Sequence, residues 1–291
     1  MLTRSAWLVS ARYNRAQWFA ALLVAAVLSG CFNLVRDSLG SGNALTAGAG
    51  LFGINAIIWV ALFATLHLAF ESRTVEAPRR HDLLILGVGA MSLFFPSGWE
   101  SRAFVVIGAA YLFLTSERGQ AARKVAVIAL ALSVPLIWAR LAIYLLGPEL
   151  LSFDAAIVGL ATGLPYQGNV VDFPDSASAT EGLQMVILSG CSSFANVSMS
   201  IVVMAMVAQL LDLPGDRRLI LVGAAAAAAA MAVNIARLAL IALKPEHYDY
   251  LHAGPGASLF GYACLIAIGA VAIVGTRRMR SPPGAPARAD P

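Results

Sequence analysis

Charge is what this sequence has least of. Only 12% of its 291 residues are charged, where a soluble domain carries about a quarter. With 59% hydrophobic residues, a soluble fold of this length could not hide its apolar surface, whereas a bilayer accepts it. Cysteine is also scarce. Cys31, Cys191 and Cys264 lie far apart in apolar surroundings, with no Cys-x-x-Cys pair and no Cys/His cluster. Neither a disulfide framework nor a zinc site is signalled, and no metal or organic cofactor is called for. The net charge of +4 would suggest nucleic acid in a soluble protein. Here the basic residues sit in short loops and set topology, so the expected partner is the lipid bilayer and not nucleic acid.

What is present is a series of apolar runs. A span needs about 20 residues at 1.5 Å rise. Eight segments qualify or nearly so, at 17–36, 51–70, 82–97, 100–115, 123–146, 189–211, 218–243 and 256–275. The third and fourth are short and read as a hairpin broken at Phe95-Pro96-Ser97-Gly98. The expectation is an all-α integral membrane protein, one polytopic domain over 1–291 built as a bundle of about eight transmembrane helices. The tail at 281–291 is rich in Pro and Ala and reads as disordered.

Loop charges orient the bundle. Arg4, Arg12 and Arg15 precede the first segment, and Arg73, Arg79 and Arg80 follow the second. Arg118, Arg123 and Lys124 follow the fourth, Arg217 and Arg218 the sixth, and Arg277, Arg278, Arg280 and Arg288 the eighth. Of the 20 basic residues only Arg36, Arg102, Arg140, Arg237 and Lys244 depart from that one side. Both termini are therefore expected in the cytoplasm. The longest outside loop, about 147–188, has no Lys or Arg but carries Glu149, Asp154, Asp172, Asp175 and Glu181. An exported loop that avoids basic residues explains those acids individually, and a substrate-facing cap is the sharper alternative.

Three polar positions converge near the outer face. Cys191 falls in the first turn of the sixth span, where free amides and the positive dipole end favour a thiolate. A lone membrane cysteine is commonly just a small hydrophobe, the reading given to Cys31 and Cys264. Arg237 lies about 9 Å below the outer end of the seventh span. A guanidinium there costs a few kcal/mol and marks a functional site by default, although its side chain can also snorkel to water. Asn234, one turn deeper on the same face, is placed to hold that guanidinium. His252 precedes the eighth span at the same side, beside His247 in the same short loop. A Cys, a His and an Arg together suit acyl transfer: the imidazole takes the thiol proton, and the arginine stabilises developing negative charge.

The order Cys191-Ser192, Asn234-x-x-Arg237 and His252-x-x-x-Gly256-x-x-x-Phe260 resembles the exosortase/archaeosortase family over about residues 181–275. Members are polytopic, typically eight-span cysteine transpeptidases, convergent with sortases. They act on exported proteins ending in a short motif, often containing Pro-Glu-Pro, then a membrane helix and a basic tail. The resemblance implies a bacterial inner-membrane enzyme with an outward active site. It makes Cys191 the nucleophile, Arg237 the transition-state stabiliser and His252 the acid/base, with Asn234, Ser192 and Gly256 supporting. The family pattern Ala-Cys-Ser-Gly-x-Arg-Ser is altered here to Gly190-Cys191-Ser192-Ser193-Phe194-Ala195-Asn196, the mark of a divergent branch.

Other classes fit parts of the sequence. Leu28-Ser29-Gly30-Cys31 resembles a lipoprotein signal, but seven further apolar segments favour an ordinary signal-anchor. In an anion transporter, Arg140 and Arg237 would line a pathway, yet no paired Gly/Pro-interrupted segments recur in two halves. A non-catalytic scaffold for envelope export would tolerate changes at all three site positions. His67 and Arg140 read as packing or snorkelling residues.

Overall fold

A computed structural model describes residues 13–40, 44–72, 76–95, 97–173, 184–277 and 279. The tail at 281–291, Pro96, the loop acids Asp175 and Glu181, and the basic residues Arg4, Arg12, Arg73, Arg278, Arg280 and Arg288 lie outside the described residues. The helices are α1 (Arg15–Gly30), α2 (Phe32–Gly40), α3 (Ala44–Ala49), α4 (Ala56–Glu71), α5 (Arg80–Ser92), α6 (Trp99–Thr115), α7 (Ala121–Ser133), α8 (Ala139–Thr162), α9 (Ser193–Leu210), α10 (Arg217–Leu243), α11 (Tyr248–His252) and α12 (Pro255–Arg277). The chain is thus a predominantly helical membrane protein. Each of the eight expected segments is helical, but their lengths differ. Four stretches are long and apolar enough to cross a bilayer: Ala121–Thr162, Ser193–Leu210, Arg217–Leu243 and Pro255–Arg277. The count rises to five if α1 and α2, bent by 49° at Cys31, form one broken span. Helix α5, with 13 residues, is too short to cross alone.

The chain divides into two compact units, residues 1–140 and 141–291. In the first, α1 packs against α4, α5, α6 and α7. Asn14 starts α1 with a capping box: its side chain accepts the Gln17 N–H at 2.9 Å, while Gln17 Oε1 accepts its N–H at 2.8 Å. The next residue, Arg15, was expected as a loop cation and is instead fully buried. Its guanidinium meets Asp82 at 2.8 and 3.1 Å, Glu76 at 3.4 Å and Ser116 Oγ at 3.0 Å. Tyr111 and the Arg79 N–H also donate to Asp82, at 2.8 and 2.7 Å. Loop position fixes the sign of a charge but not whether an acid on a neighbouring helix will claim it. Arg102 is likewise buried, donating to Gly30 O at 2.9 Å.

In the second unit, α9, α10 and α12 pack together. The expected outside loop at 147–188 is corrected here, because most of its described part is regular structure. Helix α8 runs on to Thr162 despite Pro148, with the backbone non-helical at Leu146. A small antiparallel sheet follows, of β1 (Tyr166–Gln167), β2 (Val170–Asp172) and β3 (Gln184–Val186) in that order. Gly168, at φ +57°, makes the tight turn between β1 and β2. The physical reason is burial: Ala155 and Val158 of α8, Val171 and Met185 of the sheet, and Ile187 just after it join Ile235, Leu238 and Ile241 of α10 in one core. Acids in the stretch drew attention away from that apolar pattern.

Asp82→Ala leaves the Arg15 guanidinium buried with its main counter-charge gone. We expect a loss of about 3–5 kcal/mol, read as a lower thermal midpoint of the detergent-solubilised protein. An unchanged midpoint would show that the network contributes nothing.

Candidate active site

Strand β3 hands the chain to a 3-10 turn, Ser189–Cys191, closed by the Cys191 N–H donating to Leu188 O at 2.9 Å. Ser192 is then extended (φ −66°, ψ 140°) and caps α9, accepting the Phe194 N–H at 3.2 Å. Cys191 therefore stands just before the helix and not in its first turn. Two buried side chains hold this turn. Asp154 of α8, 2% exposed, accepts the Ser192 hydroxyl at 2.7 Å and the Ser193 N–H at 2.9 Å on one oxygen. Asn234 of α10 donates to Cys191 O at 2.8 Å and to Ser193 Oγ at 3.1 Å. Ser193 thus supplies a partner to each.

His252 arrives at the end of α11. Its Nδ1 lies 3.6 Å from Cys191 Sγ, within hydrogen-bond reach for sulfur. Its ring stacks on Tyr248, with centroids 4.8 Å apart and planes 14° from parallel. For the thiol to donate, Nδ1 must carry the lone pair and Nε2 the hydrogen. Gly256 opens α12 where a Cβ would sit 2.7 Å from the Tyr250 ring and 2.8 Å from Tyr250 O. The corner that presents His252 therefore closes only around glycine at this position.

Arg237 is half-buried, and its Nε is a buried donor without a hydrogen-bond partner among the described residues. The expected bond from Asn234 to the guanidinium is not what forms: the amide grips the cysteine turn instead. The expectation of a thiolate held by the helix dipole is also corrected. Burial pushes the Cys191 thiol above its ordinary value of 9.0. The charge of Arg237 and a backbone hydrogen bond at Leu188 pull it back only in part. The dipole end is occupied by Asp154, so the resting group is a neutral thiol that needs a base, and His252 is beside it.

Cys191, His252, Asn234 and Ser192 thus lie together, with the Arg237 charge felt at the sulfur, while Gly256 packs against Tyr250 at the corner behind His252. Cys31 and Cys264 are buried, Cys264 within range of the same Arg237 charge, and His247 pairs with Glu246 at 3.6 Å. Among the described residues no group of three His, Cys, Asp or Glu side chains could hold a metal. Asp154 is the member that sequence reasoning missed. It was taken for a loop acid, yet it follows Leu150-Leu151-Ser152-Phe153 and precedes Ala155-Ala156-Ile157-Val158. A charge inside an apolar helix was the signal that picked out Arg237, and it applied equally here. The chain matches no protein-family model, no curated protein and no solved structure.

Iodoacetamide labelling of Cys191, followed by peptide mapping, should be slow at neutral pH and still climb above pH 9, because the thiolate forms only above the raised value. Arg237→Gln should move that profile further up, since the arginine lowers it; a plateau below pH 7 would contradict both. Asp154→Ala should cost about 1–3 kcal/mol, seen as a lower thermal midpoint, by stranding a buried hydroxyl and amide. A midpoint equal to wild type would show that water or another group replaces the carboxylate.

Proposed function

We propose that this chain is a membrane-embedded cysteine endopeptidase or transpeptidase of the exosortase type, cutting exported proteins near a C-terminal sorting signal. The observation that carries the reading is the 3.6 Å approach of Cys191 Sγ to His252 Nδ1, across 61 positions of sequence, within range of the charge of Arg237, whose buried Nε has no partner among the described residues. The topology proposed with it has eight spans and both termini in the cytoplasm of a bacterial cell, with the site at the outer face of the inner membrane.

The chemistry runs as follows. The Cys191 thiol gives its proton to His252 Nδ1 as the sulfur attacks a peptide carbonyl carbon. The carbonyl oxygen gains negative charge, which Arg237 stabilises in a site poor in water. As the C–N bond breaks, His252 returns the proton to the departing amine. A thioester remains on Cys191. Water or an acceptor amine then attacks it, passing a proton through His252 to the sulfur as the C–S bond breaks. Ser192, Asn234 and Gly256 position these groups, through the cap, the turn and the α11–α12 corner respectively. The substrate reaches the site from the lipid or the outer face, consistent with a motif, membrane helix and basic tail.

The test expresses wild type and Cys191→Ala at equal abundance beside a reporter carrying such a tail, and follows processing by gel shift. Wild type should process the reporter and Cys191→Ala should not. His252→Gln should fall by about 10²-fold and Arg237→Ala by about 10²–10³-fold. Processing by Cys191→Ala at the wild-type rate would make Cys191 a packing residue and move the transporter or scaffold readings ahead.

A further inference from the structure

Among the described residues the sheet ends on two edge strands, β1 and β3, and β3 is the one that leads into the cysteine turn. Strand order β1-β2-β3 leaves β3 at an edge. Ile187 N–H donates to Asn169 O at 2.9 Å, and antiparallel pairs alternate between bonded and unbonded. With Val171 opposite Met185 and Val170 opposite Val186, the backbone of Met185 and Ile187 faces β2. That of Gln184 and Val186 faces outward, where no strand pairs with it among the described residues. Side chains alternate as well. Met185 and Ile187 enter the core, while Val186 and Leu188 are 51% and 59% exposed. An apolar, unbulged strand edge is a feature that proteins ordinarily blunt with charge or cover.

We propose that the outer edge of β3 is the docking rail for the polypeptide substrate, which adds to it as an extended strand before its scissile bond reaches Cys191. This rests on the cysteine-enzyme reading above. Three observations commit the edge to a peptide. Lipid tails offer no partners for the Gln184 and Val186 amides and carbonyls, whereas an extended backbone satisfies them. The edge is continuous with the site: Leu188 follows the strand and its carbonyl closes the turn that holds Cys191. A strand lying about 4.8 Å outside β3 would lie alongside the segment that leads to Cys191. Backbone pairing also tolerates varied side chains, so selectivity along this segment falls to the apolar Val186 and Leu188. A neutral, extended substrate segment fits them better than a charged one.

The experiment uses the full chain in lipid nanodiscs and the reporter carrying a motif, membrane helix and basic tail. Photo-crosslinking residues are placed at Val186 and at Leu188 in the Cys191→Ala background, with Phe153 as an exposed control position. We expect adducts to the reporter segment flanking the cleavage position from Val186 and Leu188 and not from Phe153. Val186→Pro, which deletes an outward N–H, should raise KM about five- to tenfold, the worth of roughly one backbone hydrogen bond. Val186→Ala keeps that N–H and loses only side-chain contact, so it should raise KM by less than Val186→Pro does. Both variants should keep the wild-type rate of Cys191 alkylation, which separates lost docking from lost folding. Docking alone is overturned if wild type processes the reporter while the adducts join β3 to its own chain or to a second copy. It is equally overturned if Val186→Pro leaves KM unchanged. If wild type does not process the reporter, the enzyme reading falls and this proposal falls with it.

Discussion

The second unit depends on a carboxylate that has nothing to do with bond-breaking. Asp154 projects from α8 into the start of α9 and accepts both the Ser192 hydroxyl and the Ser193 amide. A negative charge at a helix N-terminus satisfies orphan donors and the dipole together. Because those donors belong to the two residues after Cys191, the carboxylate sets where the sulfur stands. Asn234 clamps the same turn from α10 through the Cys191 carbonyl. The thiol is thereby tied to α8 and α10, and α10 also carries Arg237.

That arrangement has an electrostatic consequence. A cysteine inside the first helical turn would borrow the dipole and rest as a thiolate. Here the dipole is spent on Asp154, burial raises the thiol, and His252, hydrogen-bonded to the sulfur, is a group that can take its proton. In the proposed reaction activation is coupled to geometry, because proton transfer needs the α11–α12 corner to hold the imidazole in place. Gly256 and the Tyr248 stack fix that corner. The first unit shows the same economy of charge. Arg15, Asp82, Tyr111 and Ser116 bury an ion pair whose members satisfy one another.

Much of this was legible in the sequence, and the failures have physical causes. Low charge and long apolar runs identified a helical membrane protein, and topology alone brought Cys191, Arg237 and His252 toward one side. Span lengths were less legible, since α5 and α6 are short helices packed against α1. Asp154 and Arg15 were misread for a shared reason. A charged residue near a segment end was assigned to water, whereas a complementary group on another helix drew it inside. Asn234 was placed correctly on the face of α10 but matched to the wrong partner, because periodicity gives a direction and not a distance. The sheet was invisible behind its acids, its strands being two or three residues long.

The central claim is that Cys191 carries an acyl group during turnover. Its most direct test is to mix purified wild type with the tailed reporter, quench in acid within the first turnover and map the peptide containing Cys191 by mass spectrometry. The account predicts an adduct with the mass of the reporter's upstream fragment on Cys191, released by hydroxylamine as a thioester must be. Processing of the reporter with Cys191 unmodified at every time point would contradict it.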